Sequence, residues 1–256
     1  MPHLPLLRVV PLETIRRHEE IDPLRVDRLV ARIETEGIQV NPMVGCTAPD
    51  GGLVLLDGAT RTESLRRLGV EHAVVQLVDP ETVTLETWHH VVRGCTTAEF
   101  LEAVGARPGL LLAADEGTPC IHLNTGEDHL VLGTGISPNA TLSSLVESYV
   151  GRWRVSRTHH PDGVGWSFPD WSAVVEFPIH TLDDVMKAAV SNDLLPPGIT
   201  RFLVHERALR INVPLDLLKT QQSTGAKQMV VDEMIAERAR DGRVRRYEET
   251  VFILDD

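Results

Sequence analysis

The segment 53–70, LVLLDGATRTESLRRLGV, limits the possible folds more than any other part of the chain. An apolar run stops at Asp57-Gly58, and helical spacing begins at once. A short apolar run closed by Asp-Gly reads as a buried strand. Thr60 with Glu63 reads as a capping box that opens a helix over about 60–68, stopped by Gly69. Strand, tight turn and helix in that order form a unit of an α/β fold.

The same unit can bind an anion. A helix start leaves backbone amides unpaired and carries the positive end of the helix dipole, so it suits phosphate. Gly58 would allow close approach, Ala59 and Thr60 would supply amides, and Arg61 would add a two-pronged contact. Asp57 would sit at the mouth of the loop, placed to bind magnesium directly or through water. The chain contains no G-x-x-x-x-G-K-[ST], so this is not a Walker loop.

Other elements follow from similar signals. LLRVVPL reads as a strand. DPLRVDRLVARIETEG reads as a helix capped by Asp22, opened by Pro23 and ended by Gly37, with Val26, Leu29, Val30 and Ile33 on one face. NPMVGCTAPDGGLVLLDG predicts a hairpin, HAVVQLV a strand, and VTLETWHHVV one further strand. Beyond Cys95, Thr96 and Glu99 open a helix, and TPCIHLNTGEDHLVLG predicts a hairpin before a helix over about 138–150. RTHHPDGVGWSFPDW reads as a loop and AVVEFPI as a strand. Thr181 opens a helix, TRFLVHERALRINVP predicts a second hairpin, a helix spans about 224–241, and YEETVFIL reads as a last strand. The expectation is two α/β units, residues 1–94 and 95–256.

Charge narrows the function. With 25 basic and 37 acidic residues the net charge is -12, a field that opposes nucleic acid. No stretch approaches the ~18 apolar residues of a membrane span, and no secretory leader is visible. Three scattered cysteines, Cys46, Cys95 and Cys120, argue for a reducing cytoplasm and against a zinc site.

The D-G-x-x-R strand end, the helix closing on Leu68-Gly69 and the upstream DPLRVDRLVARIETEGIQVNPMVG resemble the ParB/sulfiredoxin-type nucleotide fold. Partition-type ParB proteins continue into a helix-turn-helix, whereas this downstream half is acidic and hairpin-rich. Sulfiredoxins carry a reactive cysteine where this loop holds Gly58, Ala59 and Thr60. The chain as a whole is most similar to the free L-serine kinases, of siderophore-type and archaeal kinds, which make O-phospho-L-serine from serine and a nucleotide.

That resemblance implies roles. HEEIDPLR resembles the segment with the catalytic glutamate, which implies Glu19, with Glu20 as its rival in register. LDGATRTESLRRLG resembles the phosphate loop, ETWHH a Trp88-His89 pair at the substrate pocket, and LPPGITRFLVHERALRINVPLDLLK a segment placing Thr200 and Arg201 near the acceptor. Thr60 departs from the family's usual histidine. The implied enzyme takes ATP or ADP with Mg²⁺, Asp57 being both catalytic and the metal's protein ligand. Its partners are small molecules, L-serine and nucleotide, with no nucleic acid or membrane. A nucleotide-binding regulator built on the same module is the alternative.

Overall fold

The structure, a computed structural model, describes residues 4–113 and 119–247. The chain begins with β1 (Leu6–Pro11), β2 (Ile15–Arg17), α1 (Pro23–Glu36), β3 (Ile38–Gln39) and β4 (Met43–Thr47). It continues through β5 (Leu53–Asp57), α2 (Ala59–Arg67), β6 (His72–Leu77), β7 (Thr84–Thr87) and β8 (His89–Arg93). Next come α3 (Thr97–Gly105), β9 (Leu110–Ala113), β10 (Cys120–Leu123), β11 (Asp128–Gly133), α4 (Pro138–Tyr149) and β12 (Arg154–Thr158). The last third holds α5 (Val164–Ser167), β13 (Trp171–Glu176), α6 (Leu182–Ser191), β14 (Thr200–Leu203), β15 (Val213–Pro214), α7 (Leu215–Lys219) and α8 (Thr224–Arg240). The expected α/β class holds.

Two sheets organise these elements. The first is mixed, in the order β1-β6-β4-β5-β2, and the second is antiparallel, in the order β12-β8-β13-β10-β11-β9. Side chains of β5 alternate between two cores. Leu55 packs with Ile33, Leu65 and Val231, whereas Val54 and Leu56 join Phe100, Leu145 and Val175. A strand buried on both faces must be apolar throughout, which is why LVLL shows no polar alternation.

Several local signals fold as expected. Asp22 accepts from the Leu24 and Arg25 amides, and Gly37 ends α1 in the left-handed region. Thr96 with Glu99 and Thr181 with Asp184 form capping boxes. Four expectations need correction. Gly58 is the residue preceding α2, so Thr60 lies inside the first turn and caps nothing. VTLETWHHVV breaks at Trp88, whose amide donates to Ile199 O at 2.8 Å, and β7 and β8 enter different sheets. TRFLVHERALRINVP is not a hairpin, because β14 pairs with β7 and β15 with β3. The expected loop RTHHPDGVGWSFPDW runs out of β12 and contains α5. Beyond Tyr247, the expected strand YEETVFIL lies outside the described residues.

The C-terminal segment returns to the first sheet. Gln228 of α8 accepts from Val9 N–H and donates to Leu7 O, pairing polar groups on the edge strand β1. Buried Lys227 donates to Leu218 O and to His72 Nδ1. Ile211, Val213, Leu215 and Leu218 pack with Val231 of α8 in one apolar core.

Burial also sets an acid response. His90 of β8 lies between Tyr149 and Phe177, 2.9 Å from the tyrosine hydroxyl, and desolvation pulls its pKa down to about 3. The unfolded chain would protonate this histidine below about pH 6.5 while the folded state does not. Stability should therefore fall as pH drops from about 6.5 towards 3, with a slope of up to about 1.4 kcal/mol per pH unit from this group. Urea unfolding at pH 7 and pH 5 should show a smaller loss in His90→Gln than in the wild type. Equal losses would remove His90 as a cause.

Candidate active site

Strand β5 carries Asp57 to the rim of a cavity of about 870 Å³. Gly58 then turns the chain at φ 113, and a Cβ there would lie 2.7 Å from Met43 Cγ. The first helical bond of α2 runs from Thr62 N–H to Gly58 O at 2.9 Å, so the amides of Ala59, Thr60 and Arg61 precede it. Gly58, Ala59, Thr60 and Arg61 all line the cavity.

Arg61 is held more firmly than its sequence context suggests. Its Nη1 donates to Asn41 O and Pro42 O, and its Nη2 lies 3.3 Å from Asp57 Oδ2. Desolvation pulls its pKa down to about 10, which leaves it charged at neutral pH, and 22% of its side chain stays exposed. Arg207 also pairs with Asp57, and burial lowers its pKa too. Two guanidiniums thus fix the carboxylate at the loop.

The opposite wall is built from the chain before α1. Glu19 Oε2 accepts from Gly198 N–H at 3.1 Å, and the neighbouring backbone forms a bridge to Leu195. Glu20 also lines the cavity, but its carboxyl group interacts with Ser143 and Glu147 of α4. Burial, then the Glu147 charge, pushes its pKa up.

The third wall comes from β7 and β14, where Thr200 faces Thr87 and Arg201 faces Glu86. Arg201 Nη1 lies 3.0 Å from Glu86 Oε2, and its guanidinium carbon sits 4.6 Å from the Trp88 ring centre. His159 meets that ring edge-on and accepts a 3.5 Å contact from Arg201. Trp88, Thr200 and Arg201 line the cavity, while His89 does not. The His89 ring is buried in the second sheet, where Nδ1 accepts from Phe177 N–H at 3.1 Å. Alternation along β8 turns it away from the position implied by the resemblance.

The cavity is strongly cationic within an acidic chain. Its lining includes Arg25, Arg28, Arg32, Arg61, Arg157, Arg201 and Arg207, against Glu19, Glu20, Asp22 and Asp57. The spacing Arg25, Arg28, Arg32 along one helix face was the sequence signal for three of these; Arg157 and Arg207 had none. Such a field favours a polyanionic ligand. Among the described residues no group of three or more His, Cys, Asp or Glu side chains could hold a metal ion. Asp57, although paired with Arg61 and Arg207, is the carboxylate beside the loop after β5, and a single carboxylate next to ligand phosphates would suit magnesium, which is commonly held in that way.

No protein-family model matches the chain. The chain is 25% identical to the ATP-dependent L-serine kinase SbnI of Staphylococcus aureus, over 97% of each sequence. The solved structure of SbnI with a C-terminal truncation superposes with a TM-score of 0.75 at 22% identity, covering 91% of this chain and 97% of that one. A free serine kinase in complex with AMP gives 0.74 at 16% identity, covering 84% and 95%. The chain has the fold of the free serine kinases. The similarity in sequence to SbnI spans 97% of the chain. In this free serine kinase fold the loop after β5, the turn before α1 and the start of β14 meet at one cavity.

Gly58 is the least replaceable residue of that loop, because its dihedral angle and its contact with Met43 both exclude a side chain. Gly58→Ala should cost about 1–3 kcal/mol of stability. Thermal unfolding of the purified variant checks this, and an unchanged Tm would show that the turn relaxes without cost.

Proposed function

We propose that the chain is a kinase that transfers the terminal phosphoryl group of ATP or ADP to the hydroxyl of free L-serine, giving O-phospho-L-serine. One observation carries the reading. Glu19, the loop after Asp57, and the Trp88–Arg201 pair come from distant parts of the chain and line a single cationic cavity. The names of the relatives support the same chemistry.

In this reading the unit 1–94 supplies the nucleotide end of the cavity and 95–256 completes the serine site. Amides of Ala59 and Thr60 cradle phosphate oxygens, while Arg61 steadies Asp57 and turns its remaining N–H groups to the ligand. Arg201, held by Glu86 and stacked on Trp88, offers the rest of its fork to the substrate carboxylate. Trp88 excludes water from the reacting atoms. Glu19, oriented by the Gly198 amide, accepts the serine hydroxyl proton as that oxygen bonds to phosphorus and the shortened nucleotide departs. Magnesium on the nucleotide phosphates, with Asp57 as its protein ligand directly or through water, would neutralise charge on the transferring group. His89 has no direct role in this scheme.

Among the described residues no helix is long and apolar enough to cross a membrane. A cytoplasmic setting is read from the three scattered free cysteines, Cys46, Cys95 and Cys120.

Phosphoserine formation from serine, Mg²⁺ and either nucleotide tests the proposal, and nucleotide binding without turnover would favour a regulator instead. A positioned general base contributes about 10²–10⁴-fold. Glu19→Gln should reduce turnover by that order with little change in nucleotide affinity. Glu20→Gln should retain most activity; collapse in Glu20→Gln with a healthy Glu19→Gln would exchange their roles.

A further inference from the structure

We infer that Arg157 is a further catalytic residue, whose guanidinium binds the phosphoryl group on the Glu19 side of the cavity. The inference deepens the kinase reading and rests on it. Arg157 stands in β12 opposite His90 of β8, and it is the one cavity-lining residue that belongs to a strand of the antiparallel sheet. Its guanidinium occupies the space where a side chain at residue 198 would begin. A Cβ on Gly198 would lie 2.6 Å from Arg157 Cζ. Gly198, at φ +82, therefore serves two side chains at once, with its N–H on Glu19 Oε2 and its α-carbon against Arg157. Arg25, Glu19 and Asp22 supply the charges that act on this guanidinium.

Other arginines of the cavity are already engaged. Arg61 and Arg207 hold Asp57, Arg201 holds Glu86, Arg28 reaches Leu24 O and Arg32 pairs with Glu36. The Arg157 side chain has no hydrogen bond or ion pair among the described residues, so its five N–H groups are open to a ligand. Arg25 shares that freedom, but it stands exposed in the first turn of α1. Position decides which ligand oxygens Arg157 meets. In the kinase scheme the loop after β5 faces the nucleotide, and Arg201 faces the substrate carboxylate. Glu19, close to Arg157, is an anion that an incoming phosphoryl group would otherwise meet without compensation. During transfer the serine oxygen bonds to phosphorus and its proton passes to Glu19. The bond from phosphorus to the nucleotide breaks, and its electron pair leaves with the nucleotide. Arg157 exchanges neither proton nor electrons; it offsets charge on the phosphoryl oxygens as they pass from the loop towards Glu19.

Equilibrium binding separates phosphate from carboxylate, because L-serine and O-phospho-L-serine share every group but the phosphoryl. Arg157→Ala should weaken O-phospho-L-serine by about 10- to 100-fold, as loss of a charge-assisted contact requires, and leave the affinities for L-serine and nucleotide unchanged. Its kcat should fall by about 10²–10³-fold, the cost of removing one preorganised donor, while the serine KM holds. Arg157→Lys keeps the charge without the fork and should recover part of kcat. Added guanidine should restore turnover to Arg157→Ala, which a folding defect would not allow. Arg25→Ala removes the same charge from the same cavity and should cost much less; an equal cost would reduce Arg157 to a share of the general field. Parallel loss of L-serine affinity would make Arg157 a carboxylate partner, and loss of nucleotide affinity would place it on the donor. Unchanged kcat and phosphoserine affinity would remove it from the site. Wild-type protein that fails to phosphorylate serine would defeat the kinase reading, while the two affinities would still decide whether Arg157 meets phosphate.

Discussion

Two backbone hydrogen bonds hold the site together. Glu20 N–H donates to Leu195 O at 2.8 Å, and Leu195 N–H donates to His18 O at 2.9 Å. They lay the segment after α6 along the strand-like chain that precedes α1. Three residues later, Gly198 meets the Glu19 carboxylate, and Ile199 O takes the Trp88 amide. Gly198 itself adopts φ +82, and a Cβ there would strike the Arg157 guanidinium. Without this short bridge the acid, the tryptophan and Thr200 would have no common frame. Its backbone character suits the purpose, because side chains can then be spent on the ligand rather than on the joint.

Electrostatics explains how an acidic chain can serve anionic substrates. The net charge of -12 is spread over the surface, whereas arginines concentrate at the cavity. Several are restrained before any ligand arrives: Arg61 by two carbonyls, Arg201 by Glu86 and Trp88, and both Arg61 and Arg207 by Asp57. Restrained cations lose little side-chain freedom on binding, so more of their attraction reaches the ligand. Pairing also keeps partly buried guanidiniums from standing without a counter-charge.

The sequence was legible where structure is local. Asp22, Pro23 and Gly37 delimit α1, Thr96 and Thr181 open α3 and α6, and the LVLLDG run ends β5 at the cavity. It misled where a partner far along the chain decided the outcome. Trp88 breaks an apparently continuous strand because Ile199 claims its amide, and β14 and β15 ignore each other because β7 and β3 pair with them. Arg207 reaches Asp57 across 150 positions, which no spacing rule could reveal. The proposed roles of Glu19, Trp88, Thr200 and Arg201 came from family resemblance, since each is an ordinary residue in its own stretch. His89, the first residue of β8, turns its ring into the sheet and not to the cavity that Trp88 lines.

The central claim is that one cavity brings the terminal phosphoryl group of a nucleotide to a serine hydroxyl. Phosphorus NMR of wild-type protein with Mg²⁺, nucleotide and serine tests it directly. The account predicts a phosphomonoester on the serine oxygen, formed in equal amount to the nucleotide shortened by one phosphate. Release of inorganic phosphate alone, or nucleotide that stays intact in the presence of serine, would contradict it.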